Sequence, residues 1–149
     1  MTPDSNPSID NAMHYTFTIE QGNFTDAGQA SSSVKRTLKQ MGVDPVNIKR
    51  TVVALFEAEI NAVAHAYGGT IDVDIDGEKI VMVVADRGPG IPNIDLAMQE
   101  GWSTASAKVR EMGYGAGMGL PNIKKNTDDL KIDTKIGVGT TVTMTVNLA

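Results

Sequence analysis

The chain has 149 residues, of which 41% are hydrophobic and 21% charged, and its formal net charge at pH 7 is −5. These values are ordinary for one soluble globular domain with a single core. The absence of cysteine excludes disulfides, thiolate catalysis and cysteine-ligated zinc, and the acidic balance argues against nucleic-acid binding, which requires a basic face. No apolar run approaches the ~20 residues of a membrane span and no signal-peptide pattern opens the chain, so a cytoplasmic location is expected.

The chain divides into a short tail and one domain. Residues 1–13 are rich in proline, serine, asparagine and aspartate without periodicity, which predicts a flexible tail. Residues 14–149 are predicted to form the domain. Its first elements are a strand over 14–20, where apolar and polar residues alternate, and a helix capped by Asp26 that ends near Met41.

The second predicted helix carries the first group of polar candidates. Asp44-Pro45 predicts its start, and it runs to about residue 67. Glu57, Asn61 and His65 are spaced i, i+4, i+8, so they form a polar stripe beside the apolar face. Glu59 points nearly opposite Glu57 and is expected to be solvated or salt-bridged. The apolar face predicted to enter the core comprises Val52, Val53, Phe56, Ile60, Val63, Ala64 and Tyr67.

A glycine-rich turn follows a buried strand in the middle of the chain. An alternating strand over 70–76 and an Asp76-Gly77 turn lead into the apolar strand 79–85. The next residues are Asp86-Arg87-Gly88-Pro89-Gly90-Ile91. Glycine at two positions lets a ligand approach the backbone. A planar ligand could lie on this turn, with Asp86 accepting a hydrogen bond from an exocyclic amine.

A second glycine-rich segment precedes the last predicted helix. A short helix is predicted over 92–100, and the weakly patterned segment 101–112 is either a lid over a phosphate site or an ordinary surface loop. Glycines alternate from Gly113 to Gly119 and run into a helix over 120–126. The N–H groups of such a loop and the helix amino terminus can bind phosphates. The loop matches neither a Walker A nor a Rossmann motif.

The remaining pattern defines the fold class. Two further strands, over 128–134 and 140–148, flank the turn Gly137-Val138-Gly139. Hairpins interleaved with helices predict an α+β two-layer sandwich, in which helices cover one face of a mixed, mostly antiparallel sheet.

Four sequence blocks together resemble the N, G1, G2 and G3 boxes of the GHKL (Bergerat-fold) ATPases, in the same order and spacing. They are the stretch from Glu57 to His65, the Asp86 turn, the glycines 113–119 and the turn before Thr140 and Thr141. The resemblance covers residues 14–149. It implies a histidine-kinase-like ATPase domain that binds ATP.

The resemblance also implies roles for single residues. Glu57 matches the general base, and Asn61 matches the asparagine that coordinates Mg²⁺ bridging the phosphates. Asp86 matches the aspartate that recognises the adenine amino group, and Thr140 or Thr141 matches the threonine behind the adenine. The other predicted nucleotide contacts are Gly88, Gly90 and Ile91 on the adenine side and Gly115, Ala116, Gly117, Met118, Gly119 and Leu120 on the phosphate side, with Lys124 and Arg110 as weaker phosphate candidates.

Within this superfamily the chain is most similar to the bacterial anti-sigma-factor serine/threonine kinases, including the stressosome switch kinase. That similarity implies transfer of the ATP γ-phosphate to a serine or threonine of a protein partner, typically a STAS-domain antagonist. Two alternatives are an ATP-gated binding module without kinase activity and a histidine-kinase-type catalytic domain acting in trans. Either a monomer or a homodimer is compatible with the sequence.

Overall fold

A computed structural model describes residues 13–23, 27–65, 68–88, 91, 98 and 119–148. Its centre is a five-stranded sheet in the order β1-β2-β3-β5-β4, and each of the four ladders is antiparallel. The strands are β1 Met13–Ile19, β2 Gly69–Ile75, β3 Lys79–Asp86, β4 Asp129–Lys135 and β5 Gly139–Asn147. Each lies within one residue of its predicted bounds at either end, because period-two alternation, or for β3 a short apolar run, marks a strand clearly.

Three helices are described, and they form the second layer. They are α1 Gln29–Gln40, α2 Pro45–His65 and α3 Gly119–Asn126. The long helix α2 packs between α1 and α3 and against β3 and β5. The predicted start of α2 is confirmed, since the Asp44 carboxylate accepts a hydrogen bond from the Val46 N–H at 2.9 Å.

The core lies between the helices and one face of the sheet. Alternate strand residues that face the helices are buried, such as Ile71, Met82 and Met144 at 0% exposure. The opposite face is open and carries polar side chains, among them His14, whose Nδ1 lies 2.7 Å from Asp74 Oδ1. This one-sided arrangement is the predicted α+β two-layer sandwich.

The buried surface of α2 differs from the predicted stripe. Ile60 and Val63 are buried as predicted, whereas Val52, Val53, Phe56 and Ala64 are only half-buried. The fully buried residues also include Ala54, Leu55, Ala58 and Ala62. The prediction of a single stripe took α2 to be in contact on one side only. Helix α2 is in fact flanked by α1 and α3 and covered by the sheet, so residues on its sides are buried too.

Several predictions lie outside the described residues, namely the tail 1–12, the Asp26 cap, Tyr67 of the α2 stripe, the helix over 92–100 except residue 98, and the segment 101–112. Helix α1 instead has Gly28 as its N-cap, in a left-handed conformation with φ 98°. Among the described helices, none is long and apolar enough to cross a membrane.

Candidate functional site

Asp86 is the last residue of β3, and the backbone holds its carboxylate. The side chain lies on the helix-facing side of the sheet and is half-buried. The carboxylate accepts hydrogen bonds from the N–H of Gly88 and from the N–H of Thr140, the latter at 3.1 Å. Burial raises the pKa of Asp86, and these two N–H groups oppose the rise. The result is an oriented acceptor with lone pairs left for a ligand.

Two glycines let neighbouring strands pack directly against Asp86. A Cβ on Gly139, which has φ 153°, would collide with the Asp86 carbonyl oxygen. A Cβ on Gly69 would collide with the Ala85 carbonyl oxygen and lie 2.8 Å from Asp86 Cα. Gly139 belongs to a predicted motif. Gly69 was not among the predicted site residues, although the Gly68-Gly69 pair before a strand was an available signal.

Thr140 connects this end of the sheet to the turn after Asp86. Its hydroxyl lies 2.9 Å from the Thr134 hydroxyl, and that same Thr134 oxygen accepts the Ile91 N–H at 2.8 Å. Thr140 is 6% exposed and faces the helices. Thr141 alternates to the open face, where it pairs with Ala85. Of the two predicted threonines, the structure therefore brings only Thr140 to the Asp86 carboxylate.

Glu57 and Asn61 lie one turn apart on α2, and both are half-buried. The Glu57 Oε2 atom accepts a hydrogen bond from Asn122 Nδ2 at 2.8 Å. Asn122 belongs to α3, which packs along α2. Asn122 was not among the predicted site residues, because 65 residues separate the two partners and no local pattern connects them.

The expectation for Glu59 was wrong, because this residue is 6% exposed. Its carboxylate accepts backbone N–H groups of Gly28, Ala30 and Ser31 at the start of α1. That helix has no cap from its own side chains and no acidic residue in its first turn, so Glu59 caps it from α2. Burial raises the pKa of Glu59, and the N–H groups oppose the rise. Its Oε1 atom is buried with no hydrogen-bond partner within the described residues.

The phosphate-side predictions are described only in part. Gly119 begins α3, Leu120 is buried in the core at 8% exposure, and Lys124 is exposed. The predicted contacts outside the described residues are Gly90 on the adenine side and Gly115, Ala116, Gly117, Met118 and Arg110 on the phosphate side.

The side chains of Asn61 and Asp86 have the chemistry needed to bind a nucleotide together with Mg²⁺. The described part of the chain has no cluster of three or more histidine or acidic side chains that could hold a metal ion. Mg²⁺ keeps several waters and is bound by few protein oxygens together with substrate phosphates. The amide oxygen of Asn61 suits such a site, and the oriented carboxylate of Asp86 suits an exocyclic amine.

A family model described as a histidine kinase-like ATPase domain matches residues 22–146. The chain belongs to this family. Membership confirms the predicted resemblance, and ATP is the nucleotide that the family name implies.

Proteins similar to this chain in sequence include a serine/threonine-protein kinase and an anti-sigma factor. The chain is 30% identical over 112 residues to the serine/threonine-protein kinase RsbT of Bacillus subtilis, covering 72% of this chain and 78% of the relative. It is 32% identical over 142 residues to an anti-sigma F factor of a Thermoanaerobacter species, covering 89% of this chain and 95% of that protein.

The fold is also similar to that of solved structures. One example contains the RsbU and RsbW domains of a Mycobacterium tuberculosis protein, and it matches with a TM-score of 0.60 and 21% identity. The match covers 92% of this chain and 32% of that chain. Together with the antiparallel sheet and its helical layer, this likeness confirms the predicted fold class.

Proposed function

We propose that the protein is an ATP-dependent serine/threonine protein kinase of sigma-factor regulation, and that it phosphorylates a STAS-type partner protein. The activity is the one named for the RsbT relative, and the relatives also include an anti-sigma F factor. A protein partner and a cytoplasmic location are parts of the proposal.

The observation that carries the proposal is the position of α2 relative to the end of β3. Helix α2 bears Glu57 and Asn61 and packs against β3, at whose end the Asp86 carboxylate is held. The packing of α2 against β3 supports assigning these groups to one site, with an acceptor for an adenine amine, an oxygen ligand for a metal and a carboxylate for proton transfer. These are the groups that phosphoryl transfer from ATP requires.

Each of these residues has a separate role in the proposed reaction. Asp86 accepts a hydrogen bond from the adenine amino group, with Thr140 behind it. Glu57 takes the proton from the acceptor hydroxyl as that oxygen bonds to the γ-phosphorus, the bond to the β-phosphate oxygen breaks and ADP leaves. Asn61 would hold Mg²⁺ through its amide oxygen, and the ion would neutralise charge on the phosphate oxygens.

The test is to incubate the protein with γ-labelled ATP, Mg²⁺ and a soluble extract of its host. We expect acid-stable label on one small host protein, and loss of that label with Glu57→Gln. Glu78→Gln is the matched control, because Glu78 is an exposed acid on the β2–β3 hairpin.

Two other outcomes would contradict the proposal. Acid-labile label on the partner would indicate a histidine-kinase-type catalytic domain acting in trans. ATP binding without transfer to any host protein would indicate an ATP-gated binding module.

A further inference from the structure

We infer that Asn122 is a positioning residue for phosphoryl transfer, which holds the Glu57 carboxylate in the orientation that accepts the proton. The inference rests on the proposed function and extends it to a residue on a different helix. The observation behind it is the hydrogen bond from Asn122 Nδ2 to Glu57 Oε2, at 2.8 Å.

This hydrogen bond joins two helices at a half-buried place. Glu57 lies on α2 and Asn122 in the first turns of α3, and both side chains are only partly exposed. A hydrogen bond to a carboxylate is about twice as strong as one between neutral groups, and partial burial reduces its screening by water. The interaction is therefore strong enough to select one orientation of Glu57.

Asn122 is itself fixed by its neighbours on α3. Leu120 at 8% exposure and Ile123 at 0% anchor the helix in the core on both sides of it. One turn of α3 is thus held rigidly, and the Asn122 amide projects from it to Glu57.

A glutamate needs such a partner if it is to act as a base. The terminal torsion of a glutamate side chain is broad, so an isolated carboxylate samples many orientations. With Oε2 engaged by Asn122, Oε1 remains to accept the proton. An amide suits this role because it donates a hydrogen bond to the carboxylate without placing a positive charge beside it. A positive charge would compete with the proton that the carboxylate has to accept.

Asn122→Leu and Asn122→Asp test the inference from two directions. Leucine removes the donor with similar volume, and aspartate keeps the shape but places a second carboxylate against Glu57. With Mg·ATP and the host protein that the wild type labels, we expect kcat to fall about tenfold for leucine and further for aspartate. The KM for ATP should stay within about twofold, since the substitution leaves nucleotide contacts in place.

Asn126→Ala is the matched control. It removes one hydrogen bond from the same helix, to the Asn122 backbone, and leaves the Glu57 contact intact. Its kcat is expected to stay within about twofold of the wild-type value. A thermal unfolding curve for each variant would show whether any loss of rate follows loss of folded protein.

A double variant separates positioning from packing. Because Asn122 acts through Glu57, adding Asn122→Leu to Glu57→Gln should cause no further loss of transfer. If Asn122→Leu lowers the rate by the same factor in both backgrounds, the residue acts independently of Glu57 and the inference is wrong.

The failures of the two proposals are distinguishable. Wild-type rates for both Asn122 variants, together with an inactive Glu57→Gln, would overturn only the positioning role. Undiminished transfer by Glu57→Gln would overturn the base assignment in the proposed function, and the positioning role with it.

Discussion

The two ends of the candidate site are built in different ways. The Asp86 end is formed by strand pairing: backbone N–H groups hold the carboxylate, and Gly69 and Gly139 bring two neighbouring strands against it. The Glu57 end is formed by side chains on two packed helices, joined by the Asn122 hydrogen bond. In the proposed function, the carboxylate held by backbone pairing binds the nucleotide, whereas the helix side chains take part in phosphoryl transfer. Substitutions at the first end should therefore change folding and ATP affinity, and substitutions at the second should change the rate of transfer.

The largest effect at the Asp86 end is expected from Gly139→Ala. The added Cβ would collide with the Asp86 carbonyl oxygen at a residue whose φ is 153°, so the free energy of unfolding should fall by about 3 kcal/mol. Gly137→Ala is the control. It has φ 78° and open space around its Cβ position, so it should cost about 1 kcal/mol. Urea unfolding of both variants measures the difference, and equal losses would contradict the close approach.

Asp86→Asn is expected to weaken ATP binding by about tenfold to a hundredfold. The amide oxygen can still accept N–H groups of the backbone. The NH₂ group that replaces the second carboxylate oxygen is a donor, however, so it cannot accept a hydrogen bond from an adenine amine, and the negative charge is lost. Isothermal titration calorimetry with Mg·ATP measures the change. Unaltered affinity would show that Asp86 does not contact the nucleotide.

The pH dependence of ATP affinity also tests whether the Asp86 carboxylate contacts the nucleotide. Burial raises the pKa of Asp86 in the folded protein. The ionised acceptor is fully present above that raised pKa and is lost as the pH falls through it. Affinity should therefore decline at a higher pH than an ordinary aspartate would give, and Asp86→Asn should lack this component. A wild-type profile identical to that of Asp86→Asn would exclude the carboxylate as the titrating group.

The two threonines give a smaller and more local contrast. Thr140→Val removes the hydroxyl contact with Thr134 on the helix-facing side, and we expect ATP affinity to fall about fivefold, as for the loss of one hydrogen bond. Thr141→Val alters the open face and should bind ATP like the wild type. Equal losses for the two variants would remove the distinction between the faces.

The smallest expected effect lies away from the site. Asp128 Oδ2 accepts the Asn147 N–H at 2.7 Å and Oδ1 accepts the Arg50 guanidinium at 3.0 Å. These bonds lower the pKa of Asp128, so their contribution to stability is present at neutral pH and is lost as the pH falls through the lowered pKa. The Asp128 side chain is 33% exposed, so water weakens these interactions. Asp128→Asn should therefore lower the free energy of unfolding by only about 1 kcal/mol at pH 7. Transfer by this variant should be unchanged.

The sequence predicted the strands and the family well, for a physical reason. Alternation and, for β3, a short apolar run are local signals, so each described strand could be placed from its own residues. The four motif blocks are also local, and they led to the family, the fold class and the kinase activity named for a close relative.

The features that sequence reasoning missed depend on contacts between distant residues. Glu59 was expected at the surface, but its partners are N–H groups at the start of α1 that no spacing on α2 reveals. Asn122 reaches Glu57 only because α3 packs along α2. The side burial of Ala54 and Ala62 has the same origin, since a helical period describes one face and not the number of neighbours.

The most direct test of the account is to measure ATP affinity and phosphoryl transfer together in Glu57→Gln and Asp86→Asn. The two variants are expected to show opposite defects. Glu57→Gln should bind Mg·ATP with an affinity within about threefold of the wild type and lose transfer by a factor of about 100 or more, whereas Asp86→Asn should lose affinity. Wild-type transfer by Glu57→Gln, or wild-type ATP affinity in Asp86→Asn, would contradict the division of the site into a binding end and a transfer end.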